Sequence, residues 1–153
     1  MKEVNIHNTF ALGNESEVKV KEWLENQGWI VEKKDYKSFP YDFDITMGDK
    51  VKHIEIKTYG HPSYTTLFAE TKQISKANRI ETIPEYILHK DEIDYIIWVD
   101  RFKNTARVFN NKIFAEYVLS KMGEERYNSY GTGAGILIEQ DSIEAGLRFF
   151  YVF

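Results

Sequence analysis

Hydrophobic and polar positions change period several times along this chain, and each change marks an element. Over residues 13–28 the apolar side chains Val20, Trp23 and Leu24 return at helical spacing. Gln27 closes that stripe, Glu17 lies at its edge, and Glu15, Glu22 and Glu25 point elsewhere. Asn14 is suited to cap the helix and Gly28 to stop it. Residues 29–36 read as a strand that leads into a hairpin over residues 41–58. There Phe43 and Ile45 share one side with Ile54 and Ile56, and Asp42, Asp44, His53, Glu55 and Lys57 share the other.

The rest of the chain reads as architecture. Strand alternation over residues 64–69 ends at Glu70, and residues 72–80 read as a short helix. Residues 94–100 form a nearly continuous apolar run, the pattern of a strand buried on both faces. Residues 105–110 should pair with it across a turn. Residues 111–122 read as a helix whose apolar side carries Ile113, Phe114, Tyr117, Val118 and Leu119, and residues 135–139 and 147–153 read as two further strands. An apolar C-terminus of this kind is expected to be packed.

Register gives the hairpin its chemical interest. Gly48-Asp49 suits a two-residue turn, with glycine where positive φ is needed, and this sets Met47 opposite Lys50. Counting outward, Asp42 falls opposite Glu55. Two carboxylates about 5 Å apart at an effective dielectric of about 20 repel by roughly 3 kcal/mol. A divalent cation between them reverses that sign. A charged outer face needs no function to explain it, but opposed like charges with Lys57 two residues beyond Glu55 suit an oxygen-ligated Mg²⁺ or Mn²⁺.

Composition bounds the reading. With 153 residues the chain is long enough for one domain with a real core, and no repeat or linker divides it. Ten Tyr, ten Phe and three Trp supply the aromatic content. The absence of cysteine excludes disulfides and thiolate metal sites. The polar opening does not resemble a signal peptide, and no apolar run reaches transmembrane length, so a soluble cytoplasmic protein without membrane contact is expected. The net charge of −4 does not announce a nucleic-acid binder, although a local basic stripe can serve. Lys33, Lys34 and Lys37 lie close to the hairpin, and Lys72, Lys76 and Arg79 would share one face of the helix at 72–80.

Other motifs are weaker. The glycines at 131, 133 and 135 lack the lysine-serine/threonine ending of a phosphate loop and do not run from a strand into a helix, so a flexible hairpin or lid fits better. His7, His53, His61 and His89 show no paired metal-ligand spacing. Only His53 lies on the charged face of the hairpin.

Glu17 on a helix, Asp42 in a strand and Glu55-Ile56-Lys57 in the next resemble the PD-(D/E)XK nuclease superfamily. The spacing of Gly13, Glu17, Val20, Leu24 and Gly28 is similar to the first helix of its archaeal Holliday-junction-resolvase and restriction-endonuclease-like branches. The resemblance spans residues 13–100. It departs in having Tyr41 where the motif's proline would stand, with Pro40 one place earlier, which leaves Asp42 and Asp44 as alternative ligands; the register favours Asp42.

The resemblance implies an α/β (α+β) fold, a mixed sheet with an αβββαβ core, flanking helices and extra C-terminal strands. It also implies metal-dependent hydrolysis of phosphodiester bonds. The leading expectation is a Mg²⁺-dependent nuclease acting on DNA, with branched or flap structures as candidate substrates and an RNA nuclease as an alternative. Asp42, Glu55 and the carbonyl of Ile56 would hold the metal, Glu17 would assist, and Lys57 would position water and stabilise charge. Symmetric incision would require a homodimer, for which the apolar C-terminal strand offers an interface. The alternative is a nuclease-fold module that binds nucleic acid or another partner without cutting.

Overall fold

The computed structural model describes residues 6–60, 63 and 65–153. In chain order these form α1 (Ile6–Asn26), β1 (Ile30–Lys33), β2 (Phe43–Met47), β3 (Lys50–Tyr59), β4 (Thr66–Ile74), β5 (Glu81–Thr82), α2 (Glu85–Leu88), β6 (Tyr95–Asp100), β7 (Thr105–Asn110) and α3 (Asn111–Ser120). A 3-10 turn, Met122–Glu124, then leads to β8 (Arg126–Tyr127), β9 (Gly133–Glu139) and β10 (Leu147–Val152). Six strands make a mixed sheet in the order β1-β2-β3-β6-β7-β10, with β3 and β6 parallel; β5-β4-β9-β8 make a second, antiparallel sheet. No described helix is long and apolar enough to cross a membrane.

Alternation in the central strands explains the layers. Ile54 and Ile56 of β3, Ile97 and Val99 of β6, and Ala106 and Val108 of β7 pack with Phe43 and Ile45 against Val20 and Leu24 of α1. Their neighbours Ile96, Trp98 and Phe109 face the other way. They pack against Leu67 and Ala69 of β4, Ile136 and Ile138 of β9, Tyr86 of α2, and Phe114 and Val118 of α3. The six-stranded sheet is thus covered by α1 on one side and by the second sheet with α2 and α3 on the other. β6 is buried on both faces, as its apolar run requires.

Local signals place several boundaries as expected. Gly28 ends α1 at φ +96, with Trp29 N donating to Leu24 O at 3.1 Å, a left-handed helix stop that a side chain would strain. Gly48, at φ +62, turns the β2–β3 hairpin, and the observed pairing runs from Met47↔Lys50 to Phe43↔Ile54. Asn110 caps α3, its Oδ1 accepting from Ile113 N at 3.0 Å. In that helix Phe114, Ala115 and Val118 face inward, whereas Ile113 and Leu119 are exposed.

Other boundaries differ from the sequence reading. α1 begins at Ile6, so Gly13 lies inside it and Asn14 is an interior residue, not the cap. A helix tolerates one internal glycine at about 1 kcal/mol, and the turns upstream continue the same rod. The helix expected at 72–80 is absent: β4 continues to Ile74, pairing with β9 from Thr66↔Glu139 to Gln73↔Gly133. Its burial alternates through Leu67, Ala69 and Thr71, so period 2 carries on past Glu70. Lys72, Lys76 and Arg79 therefore do not form a helical basic stripe. His61 and Pro62 of the turn expected at 60–63 lie outside the described residues.

The glycine-rich segment opens β9 after the turn that follows β8. A Cβ on Gly135 would stand 2.6 Å from Ala69 O, and one on Gly133 would stand 2.8 Å from Lys72 O. Close approach to β4 explains these glycines without any phosphate. The C-terminal strand β10 pairs with β7 and forms one edge of the larger sheet. Phe149, Phe150 and Val152 remain exposed there, so the apolar C-terminus is less covered than its composition suggests.

Candidate active site

The hairpin brings Asp42 and Glu55 together. β2 begins at Phe43, and the residue before it is fixed by three contacts with the backbone. Asp42 N donates to Ile54 O at 2.9 Å, Asp42 O accepts from Lys34 N at 2.8 Å, and Asp42 Oδ2 accepts from Ile56 N at 2.7 Å. A residue of a strand turns its N–H and C=O to the same neighbour, so the Ile56 carbonyl also leaves β3 on the edge facing Asp42. Glu55, only 8% exposed, reaches the same amide, with Ile56 N donating to its Oε1 at 3.3 Å. One backbone N–H thus serves two carboxylates.

The electrostatics follow from burial first and from the facing carboxyl second. Burial pushes the Glu55 carboxyl well above the usual range, and the hydrogen bond and charge of Asp42 push it the same way; the charge of Lys57 only partly opposes them. Glu55 therefore holds its proton more tightly than an exposed glutamate does. Lys57 follows Glu55 on the same face of β3 and is half-buried.

Asp44, two residues along, has a different setting. Its Oδ1 lies 2.5 Å from His53 Nδ1 and its Oδ2 lies 3.2 Å from Lys34 Nζ. Burial alone would raise its pKa, but the hydrogen bonds from His53 and Lys34 outweigh it and hold the carboxyl below the ordinary value. His53 is anchored further by its backbone N, which donates to Asp94 Oδ2 at 2.8 Å, and by stacking on Tyr41 at 4.4 Å. Between the two aspartates left open by the motif, Asp42 is the one that meets Glu55.

Glu17 does not meet them. Its Oε2 is 2.9 Å from Lys33 Nζ, while its neighbour Ser16 accepts a 2.7 Å hydrogen bond from Thr58 Oγ1 and docks α1 on β3. Among the described residues no group of three or more His, Cys, Asp or Glu side chains is assembled to hold a metal ion. The Asp42–Glu55 pair nonetheless fits a hard divalent cation by its chemistry: two acid oxygens short of donors, a nearby carbonyl, and an open side for water or phosphate to complete the shell.

The other basic residues are dispersed. Lys34 is shared between Glu32 and Asp44, Lys72 pairs with Glu125 at 3.3 Å, and Arg79 Nη1 donates to Gly131 O at 3.2 Å. Lys37 lies over the Tyr36 ring, 5.9 Å from its centre, and exposed Lys76 belongs to the turn after β4.

Above the carboxylate pair lies an open cavity of about 210 Å³, lined by Tyr36, Phe39, Pro40, Tyr41, Asp42, Glu55 and Glu85. The sequence reading missed Glu85, and only the fold carries α2 to this wall. It also missed the aromatic residues as a group, although Tyr36, Phe39 and Tyr41 alternate with Lys34 and Lys37 in plain sight. A larger trough of about 310 Å³ lies on the α1 side, among Trp23, Trp29, Tyr95 and Phe149, and no charged side chain lines it.

Comparison with known proteins adds two findings. A family model described as "Protein NO VEIN, C-terminal" matches residues 17–104, more than half of the chain and every residue of the carboxylate site. The fold is similar to the solved structure of a bacterial homing endonuclease, with a TM-score of 0.58 and 13% sequence identity over 82% of this chain and 88% of that one. No curated protein matches the chain in sequence.

Proposed function

The chain belongs to the family described as Protein NO VEIN, C-terminal, and from that premise we propose that it is a PD-(D/E)XK-type, Mg²⁺- or Mn²⁺-dependent nuclease that hydrolyses phosphodiester bonds in DNA. One observation carries the reading: Asp42 and the buried Glu55 are pressed together with a single amide between them and the charge of Lys57 close by. A protein gains nothing in stability from such an arrangement without a cation to fill it. The nuclease-like fold agrees with the reading.

Asp42, Glu55 and the Ile56 carbonyl would hold the metal, with Glu17 contributing at most through water. A divalent cation bound there supplies charge to neutralise the phosphate and to lower the pKa of a water molecule. The chain's own groups do the rest. Asp42, fixed by its backbone contacts, presents its carboxylate without reorganisation. Glu55, whose protonated form is favoured by burial and by Asp42, would release its proton to solvent as the cation binds. Lys57 brings an ammonium group to the phosphoryl oxygens and orients the attacking water, a positioning and electrostatic role.

The test is cleavage of linear, single-stranded, flap and four-way-junction DNA, with an RNA strand alongside, in Mg²⁺, Mn²⁺ or EDTA. Metal-dependent cutting that disappears in Glu55→Gln and Lys57→Ala, with circular dichroism unchanged, is the expected result. A second reading rests on the ion pair between Glu17 and Lys33, which leaves the acidic site with two carboxylates. On that reading the chain is a nuclease-fold module that binds nucleic acid without cutting it. Mg²⁺ binding with no cleavage of any substrate would select it.

A further inference from the structure

Residues 34–41 run Lys-Asp-Tyr-Lys-Ser-Phe-Pro-Tyr, an alternation of cations and rings between β1 and β2. Asp35 shapes them into a tight turn: Lys37 N donates to its Oδ1 at 3.1 Å, and Ser38 N and Phe39 N donate to its backbone O at 3.0 and 2.9 Å. The turn is therefore formed before anything binds. It holds Tyr36 81% exposed and Phe39 38% exposed at the cavity that Asp42 and Glu55 line. Inward from the rim the rings continue, Phe39 to Tyr41 at 5.8 Å and Tyr41 to His53 at 4.4 Å. Lys34 Nζ sits 4.7 Å from the Phe39 ring centre, and Lys37 Nζ 5.9 Å from that of Tyr36.

From this juxtaposition we infer that Tyr36 and Phe39 form a stacking platform for an unpaired nucleobase next to the carboxylate pair, so that the protein engages single-stranded or locally unpaired nucleic acid. The inference rests on the nucleic-acid reading of the site and narrows its substrate class. Two exposed rings held by a hydrogen-bonded turn call for a flat apolar partner. The acidic floor beside them calls for a ligand whose anion arrives with a cation, and Lys37 offers the backbone a second charge. A nucleotide has both parts, a π-face and a phosphate, at adjacent positions. The base must be unpaired, because a base within a duplex already has both faces covered by its neighbours.

The experiment measures binding in EDTA by fluorescence polarisation, using Glu55→Gln as the parent to lower the negative charge of the floor. The probes are a labelled oligothymidine, an abasic oligonucleotide of equal length and charge, and a duplex. Base-dependent binding is expected, with Tyr36→Ala and Phe39→Ala each weakening the oligothymidine complex roughly tenfold and leaving duplex binding within about twofold. Tyr36→Phe, which keeps the ring, should bind like the parent. Equal affinity for the thymidine and abasic strands, or alanine variants that bind like the parent, would overturn the inference. If wild type cuts duplex and single strands with equal kcat/KM, and Tyr36→Ala cuts both as well, the platform is refuted while the nuclease reading stands. Tight, ring-dependent binding without any cleavage in Mg²⁺ would uphold the platform and remove the nuclease reading.

Discussion

Asp42 and Asp44 sit two residues apart, each facing a residue of β3, and their surroundings oppose each other. Asp44 is held by His53 and Lys34, two groups able to carry positive charge, and its carboxyl is stabilised in the ionised form. Asp42 meets Glu55, and the pair shares one amide. Two carboxylates placed together raise each other's cost of ionisation, whereas a carboxylate beside donors lowers it. An acid beside cationic donors stabilises a fold; two acids sharing one donor do not. The same hairpin carries both, two residues apart on one face.

The largest expected effects lie in activity. Asp42→Asn and Glu55→Gln should each lower kcat/KM by about a hundredfold or more, while Asp44→Asn, which leaves the pair intact, should lower it by less than about tenfold. Equal losses in steady-state cleavage assays would erase the distinction between the two aspartates.

Stability should move in opposite directions. In urea melts at pH 7, Asp44→Asn should destabilise by about 1–3 kcal/mol, because it weakens charged hydrogen bonds in a partly buried site. Glu55→Gln should stabilise by about 1 kcal/mol or more, because it removes a buried carboxylate from beside another. The pH dependence fixes the signs. The folded-state pKa of Glu55 is raised above its ordinary value of 4.5. Its contribution is fully favourable below that value and is lost as pH rises through the folded pKa. The folded-state pKa of Asp44 is lowered from 3.8, so its contribution is present above that value and is lost as pH falls through the folded pKa. Both differences from wild type should therefore close on acidification, one from above and one from below.

Divalent cations sharpen the comparison further. At ten times its Kd, Mg²⁺ should stabilise wild type by about 1.4 kcal/mol, with the same gain in Asp44→Asn and almost none in Glu55→Gln. Thermal melts with and without Mg²⁺ read this directly; a gain retained in Glu55→Gln would place the cation elsewhere. The smallest effect belongs to Glu17. Its partner Lys33 is 62% exposed, so Glu17→Gln should change stability by at most about 0.5 kcal/mol. A hundredfold loss of cleavage in that variant would show that Glu17 acts with the carboxylate pair despite its ion pair.

Much of the hairpin was legible in advance because its determinants are local. Period-2 alternation assigns faces, a turn glycine sets the register, and the two together bring Asp42 beside Glu55, one position beyond the last observed pair, Phe43↔Ile54. The double-sided burial of β6 followed from its uninterrupted apolar run. Errors arose where a local signal was overruled from a distance. Residues 72–74 continue a strand because β9 supplies hydrogen-bond partners and Gly133 and Gly135 let its backbone come close. Asn14 has the chemistry of a helix cap, but α1 continues upstream of it to Ile6.

Sequence determined what depends on spacing along one chain segment: the strand faces, the hairpin register, the stop at Gly28, and the resemblance carried by Glu17, Asp42, Glu55 and Lys57. Tertiary structure decided which charges are answered. It gave Asp44 to His53 and Lys34, Glu17 to Lys33, and left Asp42 with Glu55 beneath a rim of Tyr36 and Phe39, with Glu85 brought in from α2. The reason is physical: alternation fixes the direction of a side chain, but a carboxylate's ionisation depends on every donor and charge within a few ångströms, and most of those come from other elements.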